Sequence, residues 1–98
     1  MIVVTGSITT RPETLAEVEK LSLEHVLRSR TEPGCLSQSM HRDLENPLRL
    51  VSLEEWADRA ALATHFTVPA SLEFSKAVAQ LAVEPTTLRV YEGERVRI

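Results

Sequence analysis

The chain has 98 residues, of which 43% are hydrophobic and 26% charged, and its formal net charge is −3. This size and balance predict one domain that spans residues 1–98 and buries an ordinary hydrophobic core. The 11 basic and 14 acidic side chains are well mixed, which argues against a nucleic-acid partner because such partners favour a basic face. No apolar stretch approaches the roughly 20 residues of a membrane span, and a single cysteine suits a reducing cytoplasm.

The first third of the chain predicts a strand followed by a helix. Residues 2–9 are rich in β-branched side chains, which favour a strand. Thr10 or Arg11 is expected to cap a helix that takes Pro12 into its first turn and runs to about Ser29. Helical spacing predicts an apolar arc made of Leu15, Ala16, Val18, Leu23, Val26 and Leu27. His25 lies at the margin of this arc and is expected to be structural.

The middle of the chain predicts a hairpin. Glu32-Pro33-Gly34 is a turn signal, and residues 35–43 follow it as a second strand. Its alternation predicts one face with Leu36, Gln38 and Met40, and another with Cys35, Ser37, Ser39 and His41. Residues 44–47 predict the hairpin loop. Residues 48–56 predict a third strand, one face of which carries Leu48, Leu50, Ser52, Glu54 and Trp56.

The last third predicts two helices and a final strand. Asp58 suits the N-cap of a short helix that reaches Phe66, and residues 67–69 interrupt it at a proline. A second helix is indicated by apolar residues at helical spacing, namely Phe74, Ala77, Val78 and Leu81. Glu84-Pro85 ends this helix, and residues 87–91 predict the fourth strand.

The resulting order, β-α-β-β-α-α-β, predicts an α+β protein of the ferredoxin-like class, with a four-stranded antiparallel sheet and helices on one face. Val3, Val51, Leu53 and either Leu88 or Val90 suggest that the other face is also partly apolar. A face left open by the helices needs another cover, so we expect a homodimer that packs sheet against sheet.

Motifs for common cofactors are missing from the sequence. It has no nucleotide-binding glycine pattern, phosphate loop or nucleophile elbow, and its three histidines, His25, His41 and His65, lack metal-ligand spacing. We therefore expect neither a metal site nor a dinucleotide site.

An aromatic pocket is the chemistry that the sequence favours. Trp56 ends the third strand, His65 lies one helix later, and Phe74 points inward from the next helix. His65 could move a proton or hydrogen-bond a phenol or quinone oxygen, while Trp56 and Phe74 could stack on a planar ring. The alternatives are that the aromatic residues only fill the core and that His65 is a satisfied or surface histidine. Phe66, Ser52 and Ser7 are further substrate-binding candidates, although Ser7 could simply fill its strand.

Three segments together resemble a known family. They are Glu32-Pro33-Gly34-Cys35-Leu36, Leu53-Glu54-Glu55-Trp56 and Ala60-Ala61-Leu62-Ala63-Thr64-His65-Phe66. Their order and spacing are similar to those of the antibiotic biosynthesis monooxygenase domain, in particular its quinol-monooxygenase-like members. The resemblance implies a dimeric α/β barrel and oxygenation of a quinol or polycyclic aromatic molecule by O2, without metal, flavin or haem. It implies catalytic roles for His65 and Trp56.

Two departures from the family pattern keep other functions open. Pro69 is followed by Ala70 and Ser71, where many relatives have a second histidine. A haem-degrading branch shares the fold and uses Asn, Trp and His, but no Asn lies near Gly6 or Ser7 here. The alternatives are therefore a non-catalytic module that binds aromatic ligands and, less favoured, a haem-binding or haem-degrading protein.

Overall fold

Backbone hydrogen bonds join four strands into one sheet in the computed structural model, which describes residues 1–98. The strands are β1 (Ile2–Thr9), β2 (Cys35–Arg42), β3 (Arg49–Trp56) and β4 (Thr87–Glu92). Every neighbouring pair is antiparallel, and the order across the sheet is β2-β3-β1-β4. The helices are α1 (Leu15–Ser29), α2 (Arg59–His65) and α3 (Pro69–Leu81). The predicted ferredoxin-like arrangement is confirmed, and its sheet is open.

Helix α2 begins where its sequence signal places it, and Pro69, predicted to interrupt the helical segment, is itself the first residue of α3. The Asp58 carboxylate accepts a hydrogen bond from the backbone N–H of Ala61 at 2.8 Å, which satisfies a free donor in the first turn of α2. Pro69 is the first residue of α3, where its missing N–H costs nothing. None of the three helices has the length and apolar character that crossing a bilayer requires.

Helix α1 begins later than predicted. Thr10 is still part of the sheet, because its backbone N–H and its hydroxyl both bond to the carbonyl of Leu48, at 2.8 and 3.1 Å. The chain then turns, and Thr14, not Thr10 or Arg11, is the N-cap. The predicted end at Ser29 is confirmed.

The buried face of α1 also differs from the predicted apolar arc. Its buried residues are Val18, Ser22, His25, Val26 and Ser29. Leu23 and Leu27 are 59% and 51% exposed, so their assignment to the buried arc is wrong. Ser22 and Ser29 are small, and the Ser29 hydroxyl is satisfied by the carbonyl of His25 at 2.7 Å. The helix therefore turns a partly polar face toward the sheet.

A β-bulge changes the predicted alternation at the start of β2. The pairing register with β3 shifts between Cys35 and Ser37, which leaves Leu36 58% exposed. Cys35 instead packs against the core cluster that contains Trp56. The predicted alternation holds from Gln38 onward, and the side chain of Gln38 is buried. A bulge adds one residue to one strand and so reverses which side chains face inward.

The core consists of two separate clusters. The first contains Ile2, Val4, Trp56 and Leu62, and the second contains Ile8, Val18, Leu50 and Val78. On β1 and β3, the positions between them on the helix-covered face are occupied by Gly6, Ser52 and Glu54. These residues contribute little apolar side-chain volume, so a gap remains between the two core clusters.

The opposite face of the sheet has no helix over it. Val3, Val51 and Leu53 lie on it by strand alternation, and Leu53 is 45% exposed. Leu88 and Val90, however, pair with Gly6 and Val4 and so belong to the helix side, which corrects their predicted placement. All six residues of β4 are exposed, although each pairs with a buried or half-buried residue of β1.

A substitution at Gly34 tests the close contact between the turn before β2 and helix α2. The φ of Gly34 is +82°, and a Cβ at this position would lie 2.5 Å from the Cβ of Ala61. We expect Gly34→Ala to lower the free energy of unfolding by about 1–3 kcal/mol, because it combines an unfavourable φ with a steric overlap. Urea unfolding measures this change.

Gly93→Ala is the matched control, since nothing lies within 4 Å of a Cβ at Gly93. Its effect should stay within about 0.5 kcal/mol. Equal effects of the two substitutions would contradict the described contact between the turn and α2.

Candidate functional site

A cavity of about 220 Å³ occupies the gap between the two core clusters. Its sheet side is lined by Gly6, Ile8, Gln38, Met40, Ser52 and Glu54. Its helix side is lined by His25 of α1 and by residues of α2, α3 and their junction, including His65, Phe66, Ser71 and Phe74. The cavity thus combines aromatic walls with a polar sheet surface, the composition typical of small-molecule sites.

His65 is buried at the end of α2 and is held by a carboxylate. Its Nδ1 lies 2.9 Å from Oε1 of Glu32, whose side chain is 14% exposed in the turn before β2. A carboxylate is a pure acceptor, so this contact favours the tautomer with the proton on Nδ1. Nε2 of His65 makes no hydrogen bond within the chain and is left as a proton acceptor. A histidine oriented in this way can act as a general base.

His25 forms a second wall of the cavity. Its ring stacks on Phe74 with centroids 4.0 Å apart and an interplanar angle of 8°. Its Nδ1 lies 2.7 Å from Nη2 of Arg28, which also donates to the hydroxyl of Ser71 at 3.1 Å. Burial, followed by the charges of Arg28 and His65, lowers the pKa of His25 to about 3. His25 is therefore neutral at pH 7, and the arginine donor places its proton on Nε2.

Trp56 lies behind the cavity and does not line it. It is fully buried in the first core cluster, and its ring centroid is 4.7 Å from that of His65. The predicted proximity of indole and imidazole is confirmed. Trp56 is not among the residues that line the cavity, so the predicted stacking of its indole on a ligand ring is wrong. Trp56 Nε1 donates to Oε1 of Glu54 at 2.9 Å. Burial raises the pKa of Glu54, against the opposing effects of Trp56 and His65.

The other predicted substrate-binding residues divide into two groups. Phe66, Phe74 and Ser52 line the cavity, and Phe66 is 42% exposed with its ring 5.7 Å from that of His65. Ser7 borders the cavity, but strand alternation puts its hydroxyl on the helix-free face. There it shares a 2.7 Å hydrogen bond with the hydroxyl of Thr87.

The sequence reasoning missed four polar residues of this region, namely Glu32, Gln38, Glu54 and His25. A signal existed for Gln38 and Glu54, because each shares one predicted face of its strand with apolar residues. Polar residues at core positions commonly mark functional sites. Glu32 gave no such signal, since it reads as part of a turn and its partner is 33 residues away.

The cavity does not fit a haem. An engineered cavity of about 150 Å³ holds benzene, and this one, at about 220 Å³, is only moderately larger. A macrocycle of four linked pyrroles needs far more room. No group of three or more His, Cys, Asp or Glu side chains is placed to hold a metal ion.

The chain belongs to the antibiotic biosynthesis monooxygenase family, whose profile matches residues 1–89. The uncharacterised protein sll1783 of Synechocystis is 35% identical over 91 residues, which cover 93% of this chain and 62% of that protein. The chain thus spans less than two thirds of that relative's length.

Solved structures agree with this assignment. A candidate antibiotic biosynthesis monooxygenase from Deinococcus radiodurans is 27% identical and superposes with a TM-score of 0.94, covering 100% of this chain and 98% of that one. A conserved protein from Methanosarcina mazei is 26% identical with a TM-score of 0.90, covering 95% and 92%.

Because His25 is buried, we expect the free energy of unfolding to fall as the pH is lowered. The unfolded chain protonates His25 below its ordinary pKa of 6.5, whereas the folded chain does so only near pH 3. The unfolded state therefore binds more protons in this window, and His25 lowers the free energy of unfolding by up to about 1.4 kcal/mol per pH unit as the pH falls.

Urea unfolding of wild type and His25→Phe between pH 7.5 and 4 measures this contribution. Phenylalanine keeps a ring against Phe74 but has no proton to bind, so the variant should lose less stability across this range. If the free energy of unfolding fell equally in the two proteins between pH 7.5 and 4, the assignment of a neutral, buried His25 would be contradicted.

Proposed function

We propose that this protein is a cofactor-independent monooxygenase that acts on a small quinol-type aromatic ring bound in the cavity. The observation that carries the proposal is the buried pair of His65 and Glu32, which presents a free imidazole nitrogen beside an aromatic-walled cavity. Family membership supports the same reaction class.

The cavity volume favours a quinol over a larger polycyclic substrate. About 220 Å³ is enough for one substituted ring or two fused rings. Phe74 and the ring of His25 stacked on it form a flat wall for such a molecule. A four-ring aromatic molecule would extend out of this space.

The reaction follows from the chemistry of an electron-rich phenolate. Nε2 of His65 accepts the proton of a ring hydroxyl, and the phenolate ring then reduces O2 and forms a carbon–oxygen bond to it. The O–O bond breaks as the proton on that ring carbon leaves, so one oxygen atom stays on the ring and the other departs as water. Overall, a quinol and O2 give a hydroxyquinone and water, and the quinol supplies all the electrons.

The residues around His65 stabilise the charges that this sequence creates. Glu32 faces the imidazolium that forms when His65 takes the proton, at the 2.9 Å distance seen in the structure. Glu54 is a second acidic group near His65, and Trp56 fixes it through the indole N–H. The buried walls limit water, which strengthens these interactions and protects a reactive intermediate.

We further propose that the chain works as a homodimer in the cytoplasm. Proteins of this fold are generally small-molecule-binding homodimers. The helix-free sheet face carries Val3, Val51 and the exposed Leu53. A second copy packed against this face would cover them.

Aerobic turnover of a panel of hydroquinones, followed by O2 uptake, tests the activity. His65→Ala should lower kcat by about 10²–10⁴-fold, because it removes the general base. Glu32→Gln should lower it by at least about tenfold, because the amide is a weaker orienting partner and carries no charge. Trp56→Phe should also lower it, because Glu54 loses its donor.

Leu44→Ala is the control, since Leu44 is fully exposed in the hairpin loop. Circular dichroism checks that each variant is folded. The proposal fails if wild type consumes no hydroquinone, or if His65→Ala and Trp56→Phe both turn over like wild type. Quenching of Trp56 fluorescence by hydroquinones that are not consumed would instead identify a non-catalytic binding module.

Sedimentation equilibrium tests the dimer. Wild type should have twice the 11.0 kDa mass of the chain, and Leu53→Arg should shift it toward monomer by placing a charge in the proposed interface. Leu44→Arg is the control, because Leu44 is fully exposed in the hairpin loop. A monomeric wild type at micromolar concentration would rule the dimer out.

A further inference from the structure

Gln38 carries an acceptor atom that nothing in the protein satisfies. Its side chain is only 3% exposed and lines the cavity, and its Oε1 is buried without a hydrogen-bond partner. Arg30 donates to the backbone carbonyl of Gln38 at 3.0 Å, not to its amide side chain. Buried amide oxygens almost always have a partner, so a group from outside the chain is needed to satisfy this one.

The neighbours of Gln38 on the sheet do not donate to its Oε1. Its partner across the β2–β3 ladder is Glu54, whose carboxyl accepts the indole N–H of Trp56. On the same face of β2, Met40 is the next cavity residue and has only a thioether. The cavity has donors elsewhere, on His25 and on the serines that line it, but none of them bonds to Oε1 of Gln38. A ligand hydroxyl that enters the cavity can supply this missing hydrogen bond.

We propose that Gln38 is a specificity-determining residue that accepts a hydrogen bond from a second hydroxyl of the ligand, distinct from the hydroxyl that His65 deprotonates. The inference rests on the proposed function and narrows its substrate class. It selects dihydroxy aromatic rings over monophenols and over aryl ethers in which the second hydroxyl is methylated.

The diol is preferred because an ether oxygen has no hydrogen with which to donate a hydrogen bond. A methyl ether at this position would leave Oε1 of Gln38 desolvated and unpaired, and it would place a second lone pair opposite it. Sites built to bind a hydroxyl reject analogues that lack it far more strongly than apolar pockets reject a changed methyl group. We expect a preference of at least about tenfold for the diol.

Binding measured without O2 tests this inference independently of turnover. The probes are hydroquinone and 4-methoxyphenol, titrated anaerobically and followed by Trp56 fluorescence and by NMR of the ligand. Wild type should bind hydroquinone at least about tenfold more tightly. Gln38→Leu should reduce this preference to less than about twofold, because the acceptor is gone, and Gln38→Met provides the same test with an unbranched side chain.

Met40→Leu is the matched control, because it changes the shape of the same cavity wall without changing hydrogen bonding. It should shift both affinities together and keep the preference. The inference is overturned if wild type binds neither probe, if it prefers the ether, or if both folded Gln38 variants retain the preference. A Gln38-dependent preference without aerobic turnover would uphold the inference while removing the monooxygenase proposal.

Discussion

The structure depends on an interruption in the apolar face of its sheet. On one side Ile2, Val4 and Trp56 pack with α2, and on the other Ile8 and Leu50 pack with α1 and α3. Between them the strands present glycine, serine and acidic side chains that cannot fill the space under the helices. A close-packed interior would remove such a gap, so the cavity is a consequence of residue choice at a few central positions.

The gap concentrates polar groups that are costly to bury. Glu32, Glu54, His25 and His65 lie in one region, and their contacts divide them into roles: Glu32 holds His65, Trp56 holds Glu54, and Arg28 bonds to His25. Burial and a neighbouring arginine keep His25 neutral. Proteins retain such arrangements where the local cost is offset by a function. The orphan oxygen of Gln38 belongs to the same pattern, since it lacks only a partner from outside the chain.

Local signals predicted the elements well, and tertiary contacts account for the errors. Asp58 marks the start of α2 through a backbone N–H within one turn of itself, so its effect is readable from sequence. Thr10 looked like a cap, but its bonds to Leu48 keep it in the sheet. Strand alternation predicts one face for Leu36, Gln38 and Met40, but a bulge reverses the alternation at the start of β2. Leu88 and Val90 were assigned to the wrong face because only pairing with β1 fixes which side they occupy.

The order of helices and strands, the inward face of β3 and the nearness of Trp56 to His65 were determined by the sequence alone, because short-range periodicity and a tight strand–helix junction fix them. Three features were decided only by the tertiary structure: Glu32 as the partner of His65, Gln38 opposite Glu54, and Trp56 behind the cavity wall. Each of these requires segments far apart in the chain to meet in one register. Such a meeting is set by the packing of the whole sheet and its helices, and no local pattern encodes it.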